Sequence, residues 1–545
     1  MFRVLVCDKL APEGVDILSK TERLRVDVKT GLSREELSGI IGEYDGIIVR
    51  SATKLDAELI GKATRLRAIS RAGVGVDNID VEAASRRGVI VMNTPGGNTT
   101  STAEHTLALM MALSRNVHPA ATALKAGKWD PKSFVGTQLA GKTIGVIGLG
   151  RVGEQVARSA RALGMNVIGY DPYMAETKAP ALGIESVQSP EDMYGRCDYL
   201  TVHTPLTDET RNLIGREAIS RMKDGVRILN CARGGIVDEA ALLEGLKSGK
   251  VAGAALDVFE TEPPANRELV EHPKALCTPH LGASTREAQV LVAVEAAQEM
   301  IDALLGREIR FAVNAPMMDW SKMPYAEPLA NLAYRIGELL SQLAMERVRK
   351  IETTFQGDVP RDAEEVVGGY LLVAVLRKLF GDPVNLVNAR LLARESRIDV
   401  QAIHSSVPTD FPALISARLS GDGWERTAGG TLFHQHESRI VAIDSFAVEA
   451  IPQGDLLVIR DKDRPGLVGE TGTILGRHGI NIARMTFGRK AVGGDAILVL
   501  NLDSVPRANL ESAAAALGKA HDVRLVRLAG EPSAWLQSND KERET

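Results

Sequence analysis

A glycine-rich turn, Gly148-Leu149-Gly150-Arg151-Val152-Gly153, constrains the fold more than any other segment because of its surroundings. The strand pattern Thr143–Ile147 precedes it, and a helical run, EQVARSARALG, follows it. Gly148 permits the tight turn, Gly150 lets the backbone approach a pyrophosphate, and Gly153 lets the helix pack on the strand. The pattern predicts a parallel α/β domain whose helix N-terminus faces dinucleotide phosphates. The alternative is a tight strand–helix turn without a ligand.

The next strand pattern, MNVIGY, ends at Asp171, 18 residues beyond Gly153. A carboxylate at this place accepts hydrogen bonds from ribose hydroxyls. It also repels the 2′-phosphate of NADP, because both groups are negative. We therefore expect the cofactor to be NAD.

Strand and helix patterns alternate on both sides of this turn. RVLVCD, YDGIIVRS, LRAISRAG and GVIVMNTP are typical of strands, and a long helix with a Thr or Ser N-cap is predicted from about 99 to 116. Six later strands end in GLG, GYD, HTP, ARG, DVF and HLG. The fold class is therefore α/β, with two doubly wound parallel-sheet domains of the Rossmann or flavodoxin-like kind. We assign residues 1–98 and 286–316 to a substrate-binding domain and 99–285 to the NAD-binding Rossmann domain.

Two further domains and a tail are predicted beyond Pro316, because 545 residues exceed a single core. Residues 317–452 form an intervening α+β domain, with helical patterns first and short alternating strands later. Residues 453–529 follow the βαββαβ order of a ferredoxin-like domain. The segment 530–545 is too polar to pack. Ser284 and Glu287 fit a capping box at the start of a helix.

The composition limits the binding partners and the cellular location that we expect for this protein. With 65 basic and 70 acidic side chains, the net charge is −5, and no basic stripe for nucleic acid or polybasic membrane anchor is present. No run reaches the ~18 apolar residues of a membrane helix. The cysteines lack CxxC spacing, which argues against disulfides or zinc and favours a reducing, cytoplasmic location.

Three polar residues follow late strands, at the edge where an open α/β sheet binds its ligands. Arg233 lies in NCARGGIVDE, Glu262 in DVFETEPP and His280 in TPHLGAST. An imidazole is an efficient base for a hydroxyl proton near neutral pH, and a carboxylate on its other nitrogen fixes the tautomer. A guanidinium can hold a substrate carboxylate. Taken one at a time, Arg233 fits a surface ion pair, Glu262 a loop acid and His280 a helix-flanking residue. The three together predict an active site.

The segments GLGRVG, VHTPLTDET, NCARGGIVDE, LDVFETEPP and TPHLGAST resemble the D-isomer-specific 2-hydroxyacid dehydrogenases, and the resemblance spans nearly the whole chain. It implies that Arg233, Glu262 and His280 are catalytic, with His280 as proton donor or acceptor. It also implies a cofactor site lined by Gly148, Gly150, Arg151, Val152, Gly153, Asp171, Val74, Thr204, Cys231, Ala232, Arg233, Asp257, His280, Leu281, Gly282 and Ala283. The small residues after His280 would leave room for the nicotinamide.

The first domain is expected to select the substrate. Arg50, Ser51 and Lys54 follow one strand, and Arg71 with the turn Gly73-Val74-Gly75 follows another. Two arginines near a turn with free N–H groups suit a phosphate as well as a carboxylate, and Arg233 and His280 complete the predicted set. The alternative is that these side chains face solvent or bridge domains. RSATK and RAGVGVDN resemble the branch of the family that acts on phosphoglycerate.

DKDRPGLVGETGTILGRHGINI resembles the start of an ACT domain, an amino-acid-sensing module that holds its effector between two paired copies. Asp463 and Asn481 match serine-binding positions, whereas Asp461 departs from the larger His or Tyr often found there. The alternative is a domain kept only for dimerisation. His434 and His436 have no third ligand at useful spacing, so we expect no metal.

The resemblance implies NAD-dependent oxidation of 3-phospho-D-glycerate to 3-phosphohydroxypyruvate, the first step of L-serine biosynthesis. Serine would be an allosteric inhibitor, and the enzyme a homo-oligomer, with a tetramer favoured. One alternative is a hydroxypyruvate or glyoxylate reductase of the same chemistry. Another, from a different class, is a non-catalytic NAD-sensing regulatory protein.

Overall fold

The computed structural model describes residues 1–174, 178–307, 309–317, 325–344, 346–381, 383–519 and 521–528. The segment 530–545, predicted to be a polar tail, lies outside these residues, as does residue 529 at the predicted end of the preceding domain.

The first sheet is parallel and has five strands. They are β1 (Phe2–Val6), β2 (Leu24–Val28), β3 (Gly46–Val49), β4 (Ala68–Arg71) and β5 (Ile90–Asn93). Helices α1 (Pro12–Lys20), α2 (Arg34–Ile40), α3 (Ala57–Lys62) and α4 (Val81–Arg86) connect them, with a 3-10 turn at Ile41–Glu43. The order β2-β1-β3-β4-β5 is that of flavodoxin-like sheets.

The second sheet is also parallel. Its strands are β6 (Thr143–Ile147), β7 (Asn166–Tyr170), β8 (Glu185–Ser186), β9 (Tyr199–Val202), β10 (Val226–Asn230), β11 (Val251–Leu256) and β12 (Ala275–Cys277). Its helices are α5 (Thr99–Ser114), α6 (Val117–Lys125), α7 (Arg151–Ala162), α8 (Lys178–Leu182), α9 (Glu191–Tyr194), α10 (Arg216–Arg221), α11 (Glu239–Ser248) and α12 (Arg267–Glu271). The order β12-β11-β10-β9-β6-β7-β8 reverses at β6, as in a Rossmann fold.

The chain then returns to the first sheet. Helix α13 (Arg286–Leu304) buries Val292, Ala296 and Met300 against that sheet, in one core cluster with Val4. The segment after the helix extends the sheet, since Val313 N donates to Val91 O at 2.7 Å. Two doubly wound α/β sheets, as predicted, are therefore confirmed.

Local details differ from the sequence expectations. The N-cap of α13 is Thr285, whose hydroxyl accepts from Ala288 N, so the capping box at Ser284 is wrong by one residue. The N-cap of α5 is Asn98 and its side chain makes no capping hydrogen bond, so the expected Thr or Ser cap is also wrong. Strands β2 and β8 were not predicted from the sequence, because β2 is partly polar and β8 consists of two exposed residues.

The intervening segment, 325–452, combines helices with a six-stranded mixed sheet. The helices are α14 (Ala326–Leu343), α15 (Arg361–Phe380) and α16 (Ala389–Glu395). The strands are β13 (Lys350–Gly357), β14 (Asp399–Ser405), β15 (Ala413–Gly421), β16 (Trp424–Phe433), β17 (Glu437–Ile443) and β18 (Phe446–Ala450). Only the β13–β14 pair is parallel.

The C-terminal block, 453–528, has the predicted βαββαβ order. Its elements are β19 (Gly454–Lys462), α17 (Leu467–Arg477), β20 (Ile482–Arg489), β21 (Asp495–Leu502), α18 (Arg507–Leu517) and β22 (Asp522–Leu528). The antiparallel sheet order β20-β21-β19-β22 is that of a ferredoxin-like fold.

One hydrophobic core joins the intervening segment to the C-terminal block. Leu456 and Val458 of β19 belong to the same buried cluster as Leu340 of α14. Gln342 reinforces the contact, since its amide nitrogen donates to Arg527 O at 2.9 Å and its amide oxygen accepts from Arg527 N at 3.0 Å. The face of the C-terminal sheet opposite its own helices is therefore covered by α14.

The intervening segment also contacts the first sheet. Asn385 Nδ2 donates to Gly88 O at 2.9 Å, directly after α4. Arg86 of α4 pairs with Glu395 of α16 at 3.3 Å, and Val387 joins the core of the first sheet.

We expect Leu456→Ala to destabilise the protein by about 2–5 kcal/mol, because truncating a fully buried Leu leaves a cavity in the shared core. Val468→Ala is the matched control: its side chain is exposed on α17, so its effect should stay within about 0.5 kcal/mol. Urea denaturation of the full chain measures both changes. Equal effects of the two substitutions would contradict a common core.

Candidate active site

The three predicted catalytic residues follow neighbouring strands. Arg233 comes after β10, Glu262 after β11 and His280 after β12, and these strands lie side by side. Because the strands are parallel, their carboxyl ends meet at one edge of the sheet. The turn at Gly234 packs on the segment that leads to Glu262, since a Cβ on Gly234 would lie 1.8 Å from Phe259 O.

The structure brings His280 and Glu262 into contact. His280 Nδ1 lies 2.8 Å from Glu262 Oε2, and Glu262 Oε1 accepts from Phe259 N at 3.3 Å. A carboxylate accepts the hydrogen bond, so Nδ1 carries the proton and Nε2 keeps a lone pair. Half of the His280 side-chain surface is exposed, so a substrate can reach the ring.

The backbone of His280 is held in an unusual conformation. Its φ is 55°, in the left-handed region. Its N–H donates to both Asp257 O at 2.9 Å and Thr278 O at 3.0 Å. The loop, and not the exposed ring, therefore fixes where the imidazole lies.

Arg233 crosses to the first sheet's domain. Its Nε donates to Asp77 Oδ2 at 3.2 Å, and its Nη1 to Ala232 O at 2.7 Å. A Cβ on Gly75 would lie 2.1 Å from Arg233 Nη2, so any side chain at this position would displace the guanidinium.

Arg50 and Arg71 belong to the same positive cluster. Burial lowers the pKa of Arg71 to about 10, and the nearby Arg233 and Arg50 cations act in the same direction. The buried Nε atoms of Arg50 and Arg71 have no hydrogen-bond partner among the described residues. Two unpaired donors amid mutually repelling cations suit an anionic ligand.

The remaining predicted substrate residues surround these arginines. Asp8 holds the turn after β3, because its carboxylate accepts from Arg50 N at 2.5 Å and from the Thr53 hydroxyl at 2.7 Å. Ser51 and Lys54 are exposed on this turn. Val74 O accepts from Asn93 Nδ2 at 2.6 Å, and a Cβ on Gly73 would lie 1.8 Å from Arg71 Nη1.

The glycine turn has the geometry that a dinucleotide needs. Gly148 has a φ of 89°, and a Cβ on Gly153 would lie 1.9 Å from Gly148 O. A Cβ on Gly150 would meet nothing within 4 Å, so its backbone borders open space. Gly150 is the N-cap of α7 without any side-chain cap, which leaves first-turn N–H groups free for phosphate.

Asp171 and Thr204 adjoin this turn. Asp171 Oδ2 accepts from Leu149 N at 2.9 Å, so the carboxylate stabilises the turn. The Thr204 hydroxyl is buried and unpaired within the described part of the chain, and a Cβ on Gly148 would lie 2.9 Å from its methyl group. The residues present fit a dinucleotide.

The other predicted cofactor residues lie along neighbouring strand ends. Burial raises the pKa of the Cys231 thiol to about 12, so it stays protonated at neutral pH. Ala232 N donates to Asn230 Oδ1 at 3.0 Å. The Arg151 guanidinium lies over the Phe311 ring at 5.7 Å, towards the other domain. Val152 is half-buried in the first turn of α7, and in the loop after β12 Leu281 is exposed, Gly282 buried and Ala283 half-buried.

The predicted effector residues do not meet within one chain. Asp463 follows β19 and accepts from Arg489 Nη1 at 2.7 Å, at the end of β20. Asn481 precedes β20 and its Nδ2 donates to Asp503 at 2.7 Å. The eight residues of β20 separate these two ends by about 26 Å.

No metal site is evident among the described residues, where no three His, Cys, Asp or Glu side chains group suitably. His434 and His436 lie exposed in the turn between β16 and β17. None of the described helices is long and apolar enough to cross a membrane.

Several residues at this site were not singled out from the sequence. They are Asp8, Asp77, His105 and Thr278, together with the supporting role of Asp257. Asp77 and Asp8 follow strands of the first sheet, so the strand-end rule that found Arg233 could have found them. His105 lies within a helix and carries no comparable signal.

Two family descriptions match the chain. Residues 107–282 match the D-isomer specific 2-hydroxyacid dehydrogenase, NAD binding domain. Residues 325–444 match the D-3-phosphoglycerate dehydrogenase intervening domain.

Similar proteins extend over nearly the full length. The D-3-phosphoglycerate dehydrogenase of Bacillus subtilis is 42% identical over 92% of this chain and 95% of its own. That of Mycobacterium tuberculosis is 39% identical over 96% and 99%. Among solved structures, the TT0316 protein of Thermus thermophilus (37% identity, TM-score 0.53) covers 57% of this chain and 99% of its own. A glyoxylate reductase from Paecilomyes thermophila (32% identity, TM-score 0.54) covers 57% and 98%.

We expect Gly153→Ala and Gly150→Ala to separate folding from cofactor binding. The Gly153 substitution forces a backbone clash and should cost about 1–3 kcal/mol of stability as well as NADH affinity. Gly150→Ala has space for its methyl group, so stability should change by less than about 0.5 kcal/mol. Its NADH affinity should still fall, about tenfold for each 1.4 kcal/mol of lost contact. Thermal unfolding and NADH fluorescence measure the pair; unchanged NADH binding by Gly150→Ala would contradict this cofactor site.

Proposed function

This chain belongs to the D-3-phosphoglycerate dehydrogenases, and from that premise we propose that it oxidises 3-phospho-D-glycerate to 3-phosphohydroxypyruvate with NAD. The reaction is the first step of L-serine biosynthesis. The observation that carries the proposal is the His280–Glu262 pair beside three guanidiniums, two with unpaired buried Nε atoms.

His280 is the proposed base. Its Nδ1–H is held by Glu262, so Nε2 takes the proton of the substrate hydroxyl and returns it in the reverse direction. Glu262 stabilises the imidazolium that forms, because its carboxylate lies 2.8 Å from the ring. NAD, when bound, would accept the hydride from the carbon that bears this hydroxyl.

Different arginines are proposed to bind the two anionic ends of the substrate. Arg233, which lies nearest the catalytic strand ends, holds the carboxylate and polarises the reacting oxygen. Arg50, directly after β3, and Arg71, the last residue of β4, bind the phosphate with Ser51 and the N–H groups of the turn Gly73-Val74-Gly75.

The cofactor residues are proposed as predicted from the sequence. The support is the glycine turn, the uncapped start of α7 and the unpaired Thr204 hydroxyl. Asp257 contributes by holding the loop 278–282, since its oxygens already accept from protein donors.

The domain division is likewise proposed: 1–98 with 286–316, 99–285, 317–452 and 453–529. The support is that each sheet lies within one of these ranges and that α13 packs on the first sheet.

A second candidate, a hydroxypyruvate or glyoxylate reductase, has the glyoxylate reductase structure in its favour. The unpaired arginines favour a phosphorylated substrate instead. The third candidate, a non-catalytic NAD sensor, would have no use for the His280–Glu262 contact.

We expect Arg50→Ala and Arg71→Ala to raise KM for phosphohydroxypyruvate about 10- to 100-fold, since a hydrogen bond to a charged group contributes about 1.5–3 kcal/mol. KM for hydroxypyruvate should change by less than about threefold, because that substrate has no phosphate. The measurement is NADH oxidation at 340 nm.

Arg25→Ala, exposed on β2 of the same domain, is the matched control and should change neither KM. Equal effects of the Arg50 and Arg71 variants on both substrates would exclude the phosphate assignment. Turnover of hydroxypyruvate alone would favour the reductase, and no turnover of either would favour the sensor.

Serine feedback through the C-terminal block is also proposed. Asp463 and Asn481 lie at opposite ends of one sheet, so a single chain cannot use both for one small ligand. Two copies related by a twofold axis can pair Asp463 of one with Asn481 of the other. We therefore propose that serine binds between two chains.

We expect Asp463→Ala and Asn481→Ala each to abolish serine binding measured by calorimetry. Co-expressing the two variants should restore about one quarter of the wild-type sites, because about half of random dimers are mixed and each contains one intact site of two. A single-chain site would show no restoration. Absence of serine binding by the wild-type chain would leave dimerisation as the function of this block.

A homo-oligomer, with a tetramer favoured by the family resemblance, is the proposed assembly. Its support is the segment 117–135, where Trp129 and Val135 are 83% and 80% exposed and α6 has no buried residue. Such exposed apolar side chains mark an interaction surface.

A cytoplasmic location is proposed from the scattered, unpaired cysteines.

A further inference from the structure

His105 lies on α5, behind the loop that carries His280. Its Nε2 is 3.2 Å from the Thr278 hydroxyl and 3.2 Å from Asp257 Oδ1, and its side chain is mostly buried. It contacts neither Glu262 nor His280 in the hydrogen bonds of the described residues. The site thus contains two histidine–carboxylate pairs. The outer pair is His280–Glu262, and the inner pair is His105–Asp257.

Asp257 is the centre of the inner pair. Its Oδ1 accepts from the Thr278 hydroxyl at 2.6 Å and from Leu281 N at 2.8 Å, and its Oδ2 accepts from Gly282 N at 2.8 Å. Burial alone would raise the pKa of this carboxyl, but hydrogen bonds from His105, Thr278 and Leu281 hold the pKa below its ordinary value. Asp257 is therefore a buried anion that binds the loop.

The hydrogen positions at Thr278 assign the proton of His105. A hydroxyl has one hydrogen, and the 2.6 Å contact directs it to Asp257, which as a carboxylate can only accept. The Thr278 oxygen must then accept from His105, so Nε2 carries a hydrogen shared between Thr278 and Asp257. His105 is the donor that ties α5 to the loop.

We propose that His105 is a positioning residue for the reaction, which acts on His280 through Asp257 and Thr278. The backbone N–H of His280 donates to the carbonyls of these same two residues, and its φ of 55° is one that a histidine rarely adopts. His280 makes its one side-chain hydrogen bond, within the described part of the chain, to Glu262. Freeing Thr278 and Asp257 from α5 would thus displace the base. The inference rests on the proposed dehydrogenase function.

The test compares His105→Leu with His105→Gln in the full-length enzyme. The Leu variant removes the donor, and kcat should fall about 10- to 100-fold, because a displacement of about 1 Å at the reacting groups can cost that much. The KM for substrate should change by less than about threefold, and the Kd for NADH should rise by much less than kcat falls, since neither the arginines nor the glycine turn hydrogen-bonds to His105 within the described residues. The Gln variant keeps an N–H donor near Nε2 and should recover most of the lost kcat.

His434→Leu, exposed in the turn between β16 and β17, is the matched histidine control. Thr278→Val provides a second route to the same effect if His105→Leu folds poorly, as thermal unfolding would show. In the double variant, His105→Leu with Thr278→Val, the fold-loss in kcat should be smaller than the product of the two single losses. The reason is that both substitutions remove the same hydrogen-bond network.

Wild-type kcat in His105→Leu, or an equal loss in His105→Gln, would overturn this inference. So would multiplicative losses in the double variant, or a fall in stability and NADH affinity in proportion to kcat. An inactive wild-type enzyme would instead refute the proposed function, so the two failures can be told apart.

Discussion

The buried carboxylate of Asp257 is the interaction on which the candidate active site depends. It converts an irregular loop into a fixed one by accepting from two backbone N–H groups and one hydroxyl. The cost of burying its charge is offset because each oxygen is hydrogen-bonded. The exposed imidazole of His280 is therefore carried by a fixed loop. Its contact with Glu262 can persist although half of the side-chain surface faces solvent.

The cleft between the first two sheets combines groups from both. The imidazole and Glu262 come from the second sheet, whereas Arg50 and Arg71 come from the first. Arg233 crosses between them to Asp77, so one ion pair connects the catalytic edge to the substrate-binding edge. Around Arg71 the cations outnumber the carboxylates, because Arg50, Arg71 and Arg233 are opposed there by Asp8 and Asp77.

The sequence predicted the fold class and the order of most elements, because strand patterns, glycine turns and strand-end polar residues are local signals. The βαββαβ block and the helix from Thr99 to Ser114 are found where their patterns indicated. Partners remote in the chain could not be predicted: His105 and Thr278 are 173 residues apart, and nothing local in a helix identifies such a contact. The cap at Thr285 was missed because Ser284, the residue before it, is an even better capping residue by type. The separation of Asp463 from Asn481 likewise follows from strand order, which short motifs do not reveal.

The core beneath α14 has a mechanical consequence. Sliding the C-terminal sheet over this helix would expose apolar side chains to water, so burial of the shared core opposes such a displacement. The intervening segment meets the first sheet where Asn385 bonds to Gly88, at the end of α4. Helix α4 begins four residues after Asp77, the partner of Arg233. The described contacts therefore form a continuous path from the C-terminal sheet, through α14 and α4, to the turn that carries Asp77.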